Sequence, residues 1–179
     1  KIACRLVHNA DITLEGVIVP EERRLPRIES FDDINRALRS LRADIAWSAS
    51  GMQLGVYRAA LEYTQRREQF GRPIAGFQLI QEKLVQITGN IAQSLALAVR
   101  SSTQTVDDAA AALVKMVVAD RLRDSVAQAR AAMGGNGILL ENDAVRYFTD
   151  AEEMFTFDGT RDINTLIVGR ALTGRSAFT

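Results

Sequence analysis

The period of the hydrophobic positions changes along the chain. In the first two dozen residues Ile12, Leu14 and then Val17, Ile18 and Val19, closed by Pro20, follow the pattern of a β-strand. Ile2 to Val7 reads as a partner strand, with His8-Asn9-Ala10-Asp11 as the turn. Two strands alone are marginal in water and leave open edges. Residues 1–24 are therefore expected to be the tail of a larger sheet, and the chain a piece of a longer protein. Glu21 to Ser30 is charged, contains Pro26 and reads as a linker.

The period then becomes helical. Ile34, Leu38, Leu41, Ile45, Met52, Val56, Ala59 and Tyr63 recur at three-, four- and seven-residue steps through about Arg67, which predicts one helix of ~35 residues and ~50 Å. Gly51 and Gly55 lie inside it and either permit a tight helix contact or weaken the helix. Gly71, Pro73 and Gly76 end the pattern. A second helix is predicted from Phe77 to Ser101, with Ile80, Leu84, Ile87, Ile91 and Leu95 on one face. A third, capped by Asp107 or Thr105, carries Leu113, Val117 and Leu122 and ends at Gly134-Gly135-Asn136-Gly137. Shorter helices follow around Asn142 to Ala151 and from Arg161 to about Leu172. Long helices joined by short loops predict a mainly α protein, an up-and-down bundle.

Composition narrows the function classes. The 179 residues carry 22 basic and 22 acidic side chains and no net charge, so there is no cationic excess to drive nucleic-acid binding. No apolar run approaches the ~20 residues of a membrane span, and no signal segment opens the chain. A single cysteine, Cys4, and a single histidine, His8, leave no disulfide framework and no cysteine- or histidine-based metal centre. These features predict a soluble intracellular domain. Only Lys1, Lys83 and Lys115 are lysine among the basic residues; the rest are arginine, whose planar fork suits phosphates and carboxylates.

Three short stretches stand out. Gly134-Gly135-Asn136-Gly137 is either a left-handed helix cap or a backbone open to a phosphate, and it lacks the context of a Walker loop or a dinucleotide fingerprint. Arg66-Arg67-Glu68-Gln69-Phe70-Gly71-Arg72-Pro73 is a helix end whose arginines complement the dipole; Phe70 is either a core anchor or a surface for a flat ring. Phe157-Asp158-Gly159-Thr160-Arg161-Asp162 is a turn carrying an acid, with Thr160 able to cap the next helix.

Their order and spacing carry more than any one of them. Arg67-Glu68-Gln69-Phe70-Gly71 followed by Phe77-Gln78, then Met133-Gly134-Gly135-Asn136-Gly137, then Asp158-Gly159-Thr160, resembles the C-terminal half of the acyl-CoA dehydrogenase family. Leu14-Glu15-Gly16-Val17-Ile18-Val19-Pro20-Glu21-Glu22 looks like the strand that leaves that family's middle β-domain. Arg42-Ala43-Asp44-Ile45-Ala46-Trp47 and Gly169-Arg170-Ala171-Leu172-Thr173-Gly174 are most similar to its glutaryl-CoA dehydrogenase branch. The resemblance implies residues 1–24 as the end of a middle β-domain and 25–179 as a C-terminal four-helix bundle, assembled as a homotetramer or hetero-oligomer. It implies FAD as cofactor, an acyl-CoA (glutaryl-CoA-like) as substrate and an electron-transferring flavoprotein as acceptor. The location implied is the cytoplasm, or the mitochondrial matrix if the source is eukaryotic. In the implied reaction a carboxylate removes the α-proton while hydride leaves the β-carbon for the flavin.

Carried over by position, Arg67, Phe70 and Gln78 match residues that contact FAD, and Gly134 and Gly135 match a glycine pair near a neighbouring subunit's FAD. Ala131 stands where the family often has a glutamine. Thr160 and Asp162 match flavin-contacting positions, Arg42 an arginine facing the CoA portion, and Phe157 and Gly159 flank the reacting position at the substrate. Asp158 stands where the family normally has glutamate, the base. Aspartate is one methylene shorter, and a ~1 Å misplacement can lower a rate ~100-fold. Glu152 and Glu153 match no base position and read as a solvated helix end. Two readings follow: Asp158 is the base of a slower or reshaped site, or the chain is a degenerate or structural subunit of the same fold.

Overall fold

The computed structural model describes residues 1–177, and the chain folds mainly as five helices: α1 (Phe31–Arg66), α2 (Gln78–Thr103), α3 (Asp108–Ala132), α4 (Ala144–Thr156) and α5 (Arg161–Thr173). Their bounds lie within a few residues of those expected, except that α4 runs five residues further than the predicted Ala151. The last two residues of the expected bundle, 178–179, lie outside the described ones.

Local chemistry sets the ends. Asp33 Oδ2 accepts from the backbone N–H groups of Ser30 and Glu29, both at 2.9 Å, satisfying donors ahead of the first turn of α1. Those two bonds hold the Asp33 carboxyl below the usual carboxylate range. Asp107, one of the two candidate caps, starts α3 by accepting from Ala110 N at 2.7 Å. Gly174, at φ +68°, closes α5 in the left-handed cap that glycine favours.

Cross-helix bonds show the direction of each helix. Trp47 Nε1 donates to Ser102 Oγ at 2.8 Å and Gln53 Nε2 to Ser94 Oγ at 2.9 Å, so α2 runs antiparallel to α1. Gln86 and Asn90 both donate to Asp124 on the returning α3, at 2.9 and 2.8 Å. Arg123 Nε reaches Glu152 at 2.8 Å on the reversed α4. This is the predicted up-and-down arrangement, with α5 laid across α3 through Arg161–Asp120 at 3.2 Å and Thr165–Met116 at 3.2 Å.

The core lies between α1, α2 and α3, with α4 along one side. Ala46, Ala49, Val56 and Ala60 meet Leu84, Ile87 and Ile91 and a row of α3 residues, Val114, Val118, Leu122 and Val126. On α3 this row differs from the predicted stripe. Leu122 is buried as expected, but Leu113 is 43% exposed and Val117 half-buried. The alanines of α3 leave several faces equally apolar, and the packing partners select the one through Val114 and Val118. Of the two glycines inside α1, Gly55 makes the close contact: a Cβ there would stand 2.4 Å from Tyr147 Oη on α4. Gly51 faces open space.

The expected β-hairpin in residues 1–24 is not formed. The segment has no strand, only a short 3-10 turn at Glu21–Arg23, and Ile12, Leu14, Val17, Ile18 and Val19 are exposed. An apolar strand pattern needs a facing surface, and two strands with nothing packed on them bury too little to pay for ordering the backbone. Among the described residues the only paired strands are Glu68–Gln69 and Arg72–Pro73, β1 and β2, an antiparallel hairpin in the loop between α1 and α2. Its two turn residues, Phe70 and Gly71, have φ of +54° and +80°, the left-handed pair that a two-residue hairpin turn requires. Phenylalanine in the first of these positions disguised the signal.

The two candidate faces of α3 are separable by experiment. Leu122→Ala is expected to lower unfolding free energy by about 2–5 kcal/mol, as core truncations do, whereas Leu113→Ala changes it by less than about 1 kcal/mol. Paired urea titrations decide this; equal losses would place Leu113 in the core.

Candidate active site

The sequence-derived candidates fall into two groups at opposite ends of the bundle. Arg42 lies about a third of the way along α1 and Arg67 at its C-terminal cap, about 37 Å apart at 1.5 Å per residue.

The first group surrounds the turn between α4 and α5. Asp158 and Gly159 have φ of +53° and +93°, two successive left-handed residues. Glycine adopts this without cost and aspartate tolerates it better than most residues. Phe157 closes α4, and Thr160 begins α5, its hydroxyl accepting from Ile163 N at 3.3 Å. Asp162 is exposed in the first turn of α5. The turn is held from inside by side chains that the sequence motifs had not singled out. Lys115 Nζ donates to the carbonyls of Phe155 at 2.9 Å and Gly159 at 2.8 Å. Asn164 Nδ2 donates to Gly159 O at 2.9 Å and Thr160 O at 3.1 Å. Both side chains are fully buried.

Arg42, expected to face the CoA portion, has a side chain only 5% exposed and an Nη1 committed to Asp108 at 2.7 Å. Its Nε, buried and without a hydrogen-bond partner among the described residues, lies 3.7 Å from where a Cβ on Gly159 would stand. Arg42 thus sits beside the turn. Glu152 and Glu153 point elsewhere, to Arg123 at 2.8 Å and Lys1 at 3.8 Å.

A lysine in the repeat of Ala111, Lys115, Val118 and Leu122 was the available signal: it occupies a core position of α3 that stability alone would make apolar. Burial pushes its ammonium down to about 8, the nearby positive charge of Arg42 adding to this while the Asp158 and Asp120 carboxylates oppose it.

The second group lines a cleft of about 460 Å³ beside the hairpin. Arg67, Phe70, Phe77, Ala131, Gly134 and Gly135 all face it; Gln78, in the first turn of α2, is at the same end but is not among the lining residues. Phe70 is 91% exposed, so it is not a core anchor. It meets Phe77 edge-on with centroids 6.0 Å apart, and the Arg72 guanidinium covers Phe77 at 4.4 Å. Gly134, φ +58°, follows the end of α3 as a left-handed cap, and neither it nor Gly135 has an atom within 4 Å of its Cβ position. The glycine run thus caps α3, and the space where side chains of Gly134 and Gly135 would stand is open. Gly137 serves the fold, since a Cβ there would meet Arg130 O at 2.2 Å. Asn136 Nδ2 fastens the loop to Tyr63 Oη at 2.6 Å.

Among the described residues no group of three or more His, Cys, Asp or Glu is placed to hold a metal ion. Among the described residues no helix is long and apolar enough to cross a membrane. Burial and the Glu153 carboxylate push the Cys4 thiol up to about 11, away from the reactive thiolate.

The displaced proton of Lys115 predicts a pH dependence. Unfolded lysine titrates near 10.4, so between pH ~8 and ~10.4 the unfolded chain holds a proton that native Lys115 has released, and native stability rises with pH across that window. Urea unfolding at pH 8 and pH 10 is expected to show this increment in the wild type and to lose it in Lys115→Met. The same rise in both proteins would refute the assignment.

Comparison with known proteins places these features in a family. Residues 31–173 match the family model described as the acyl-CoA dehydrogenase, C-terminal domain. The mitochondrial isovaleryl-CoA dehydrogenase of Solanum tuberosum is 28% identical over 177 residues, covering 96% of this chain and 43% of that protein. The structure of glutaryl-CoA dehydrogenase from Mycobacterium smegmatis superposes with a TM-score of 0.84 at 33% identity, covering 90% of this chain and 43% of that one. A structure of a glutaryl-CoA dehydrogenase from the same organism in complex with FADH2 gives 0.80 at 29% identity, covering 86% and 41%. The chain thus spans less than half the length of these proteins. Its match to the family model over the whole helical bundle means that the chain belongs to the acyl-CoA dehydrogenase family and contains that family's C-terminal domain.

Proposed function

We propose that this chain is the helical part of an FAD-dependent acyl-CoA dehydrogenase that converts an acyl-CoA thioester, of glutaryl-CoA type, to its 2,3-enoyl-CoA, with Asp158 as the base. The observation that carries this reading is the braced turn: an aspartate on two successive left-handed residues, with the buried Lys115 ammonium holding the Gly159 carbonyl and the buried Arg42 guanidinium beside Gly159. The similarity to the mycobacterial glutaryl-CoA dehydrogenases supports the substrate class.

The cleft at the other end fits FAD. Arg67 offers a cation for a pyrophosphate, Phe70 an exposed ring for a flat base, and Gly134 and Gly135 a backbone with open space where a Cβ would stand. Bound FAD supplies the acceptor for the hydride equivalent that leaves the β-carbon, with an electron-transferring flavoprotein as the next carrier. Asp158 takes the α-proton, which needs its oxygen within ~2.6–3.2 Å of the carbon-bound site. Thr160 and Asp162, at the start of α5, stand beside the same turn, and Phe157 and Gly159, which flank Asp158 in the chain, are assigned to the substrate.

The two groups of residues are too far apart to meet one dinucleotide from within one chain. The arrangement is therefore read as self-complementary: the cleft end of one copy completes the site whose base end belongs to another, as a homotetramer would allow. Light scattering of the full-length protein is expected to show a stable oligomer across dilution. A monomer at every concentration would contradict this reading.

The substitution of aspartate for glutamate favours one rival specifically, a subunit of the same fold that has lost dehydrogenation. In the full-length flavoprotein without oxygen, substrate is expected to bleach the flavin in the wild type. Asp158→Asn should lower that rate by at least about 100-fold at unchanged flavin content. Asp158→Glu should retain or raise it. Unchanged bleaching in the asparagine variant would remove Asp158 as the base, and a wild type that no acyl-CoA bleaches would establish the rival.

A further inference from the structure

Lys115 is an expensive residue where it stands. Its side chain is fully buried in the core row of α3, and among the described residues no carboxylate lies within ion-pair distance of it. Two neutral carbonyls take its hydrogen bonds instead. Desolvating an ammonium against neutral partners costs free energy that an apolar side chain of similar length would not. Packing alone does not call for a lysine here.

The two carbonyls bracket Asp158. Phe155 lies in the last turn of α4, where carbonyls lack intrahelical donors and a cation is favoured by the helix dipole. Gly159 follows Asp158 directly, and its carbonyl also accepts from Asn164. Left-handed conformations at non-glycine residues persist where the surroundings over-determine them, and around Asp158 these donors hold the turn. Aspartate has few torsions of its own, so the position of its carboxylate follows the backbone of the turn closely.

We propose that Lys115 is a positioning residue for the reaction: its ammonium clasps the Phe155 and Gly159 carbonyls from inside the bundle and thereby sets where the Asp158 carboxylate stands. This rests on the reading of Asp158 as the base. The role differs from that of Arg42, whose guanidinium is tied to Asp108: Lys115 alone joins the end of α4 to the turn, spanning the two sides of the base.

Lys115→Met keeps the length and apolar character of the stem and removes the ammonium. In the full-length flavoprotein two measurements are made, amide hydrogen exchange over residues 157–162 and anaerobic flavin bleaching against acyl-CoA concentration. Exchange in the turn is expected to quicken by at least about tenfold, while the cores of α1 and α2 stay protected. The limiting bleaching rate should fall about 100-fold with half-saturation little changed, a split that general destabilisation does not produce. Lys115→Gln, which keeps a donor but loses the charge and some reach, serves if the methionine variant does not fold, and the same two changes are expected of it. Turn exchange that stays at the wild-type rate overturns the proposal, and so does a loosened turn with an undiminished bleaching rate. Loss of protection throughout α1 and α2 in both variants would make Lys115 a stability residue and overturn it as well. A wild type that no acyl-CoA bleaches sinks the dehydrogenase reading instead, and the exchange measurement still decides whether Lys115 holds the turn.

Discussion

Helix α3 packs against α1, α2, α4 and α5, and how near each can come is set by the side chains it presents to them. Ala111, Ala112, Ala119, Ala129 and Ala132 are buried along it, and a methyl group leaves neighbouring backbones free to approach. Branched residues fill the row that faces α1 and α2, where Val114, Val118, Leu122 and Val126 interlock with Val56, Leu84, Ile87 and Ile91. The antiparallel course of α1 to α4 follows from this: short connections leave neighbouring helices to pair, and α3 gives each an apolar face.

The same constraint explains why the chemistry sits where it does. Among the described residues, α4 and α5 bury few side chains, Ala144 and Ala151 on one and Asn164 on the other. On α4, Tyr147, Phe148 and Met154 pack against the core, and polar contacts add to the hold on α3: Lys115 to the end of α4, Arg161 to Asp120, Arg123 to Glu152. Elements fixed by hydrogen bonds at the margin of a core open more readily than those fixed by buried apolar area. The acid-bearing turn follows α4 at this margin, and donors from α3 and α5 are aimed at its carbonyls.

The cleft at the opposite end is built differently. There a hairpin turn carries Phe70 out into solvent, and the cap of α3 leaves Gly134 and Gly135 uncovered. A ring in a left-handed turn with nearly its whole surface exposed costs stability. Both are uncovered within this chain, and a long stretch of α1 lies between the cleft and the turn that carries Asp158.

The helices were legible because their information is local. Period, capping residues such as Asp107 and Thr160, and breakers such as Gly71, Pro73 and Gly174 act within a few positions, and the structure follows them. So did the order of the motifs around Arg67, Gly134 and Asp158, which identified the family before any contact was known. Tertiary structure decided what depends on partners distant in sequence. It chose the α3 row through Val114 and Val118 over Leu113, left the strand-like residues 12–19 unpaired for want of a facing surface, and turned Phe70-Gly71 into a hairpin. It placed Arg42 inside beside Gly159 and brought Lys115, some forty residues away in the chain, onto both sides of Asp158. The repeat of Ala111, Lys115, Val118 and Leu122 marks the lysine as a core position; only the packing of α3 shows which acceptors its ammonium finds there, the carbonyls of the acid-bearing turn and of the end of α4.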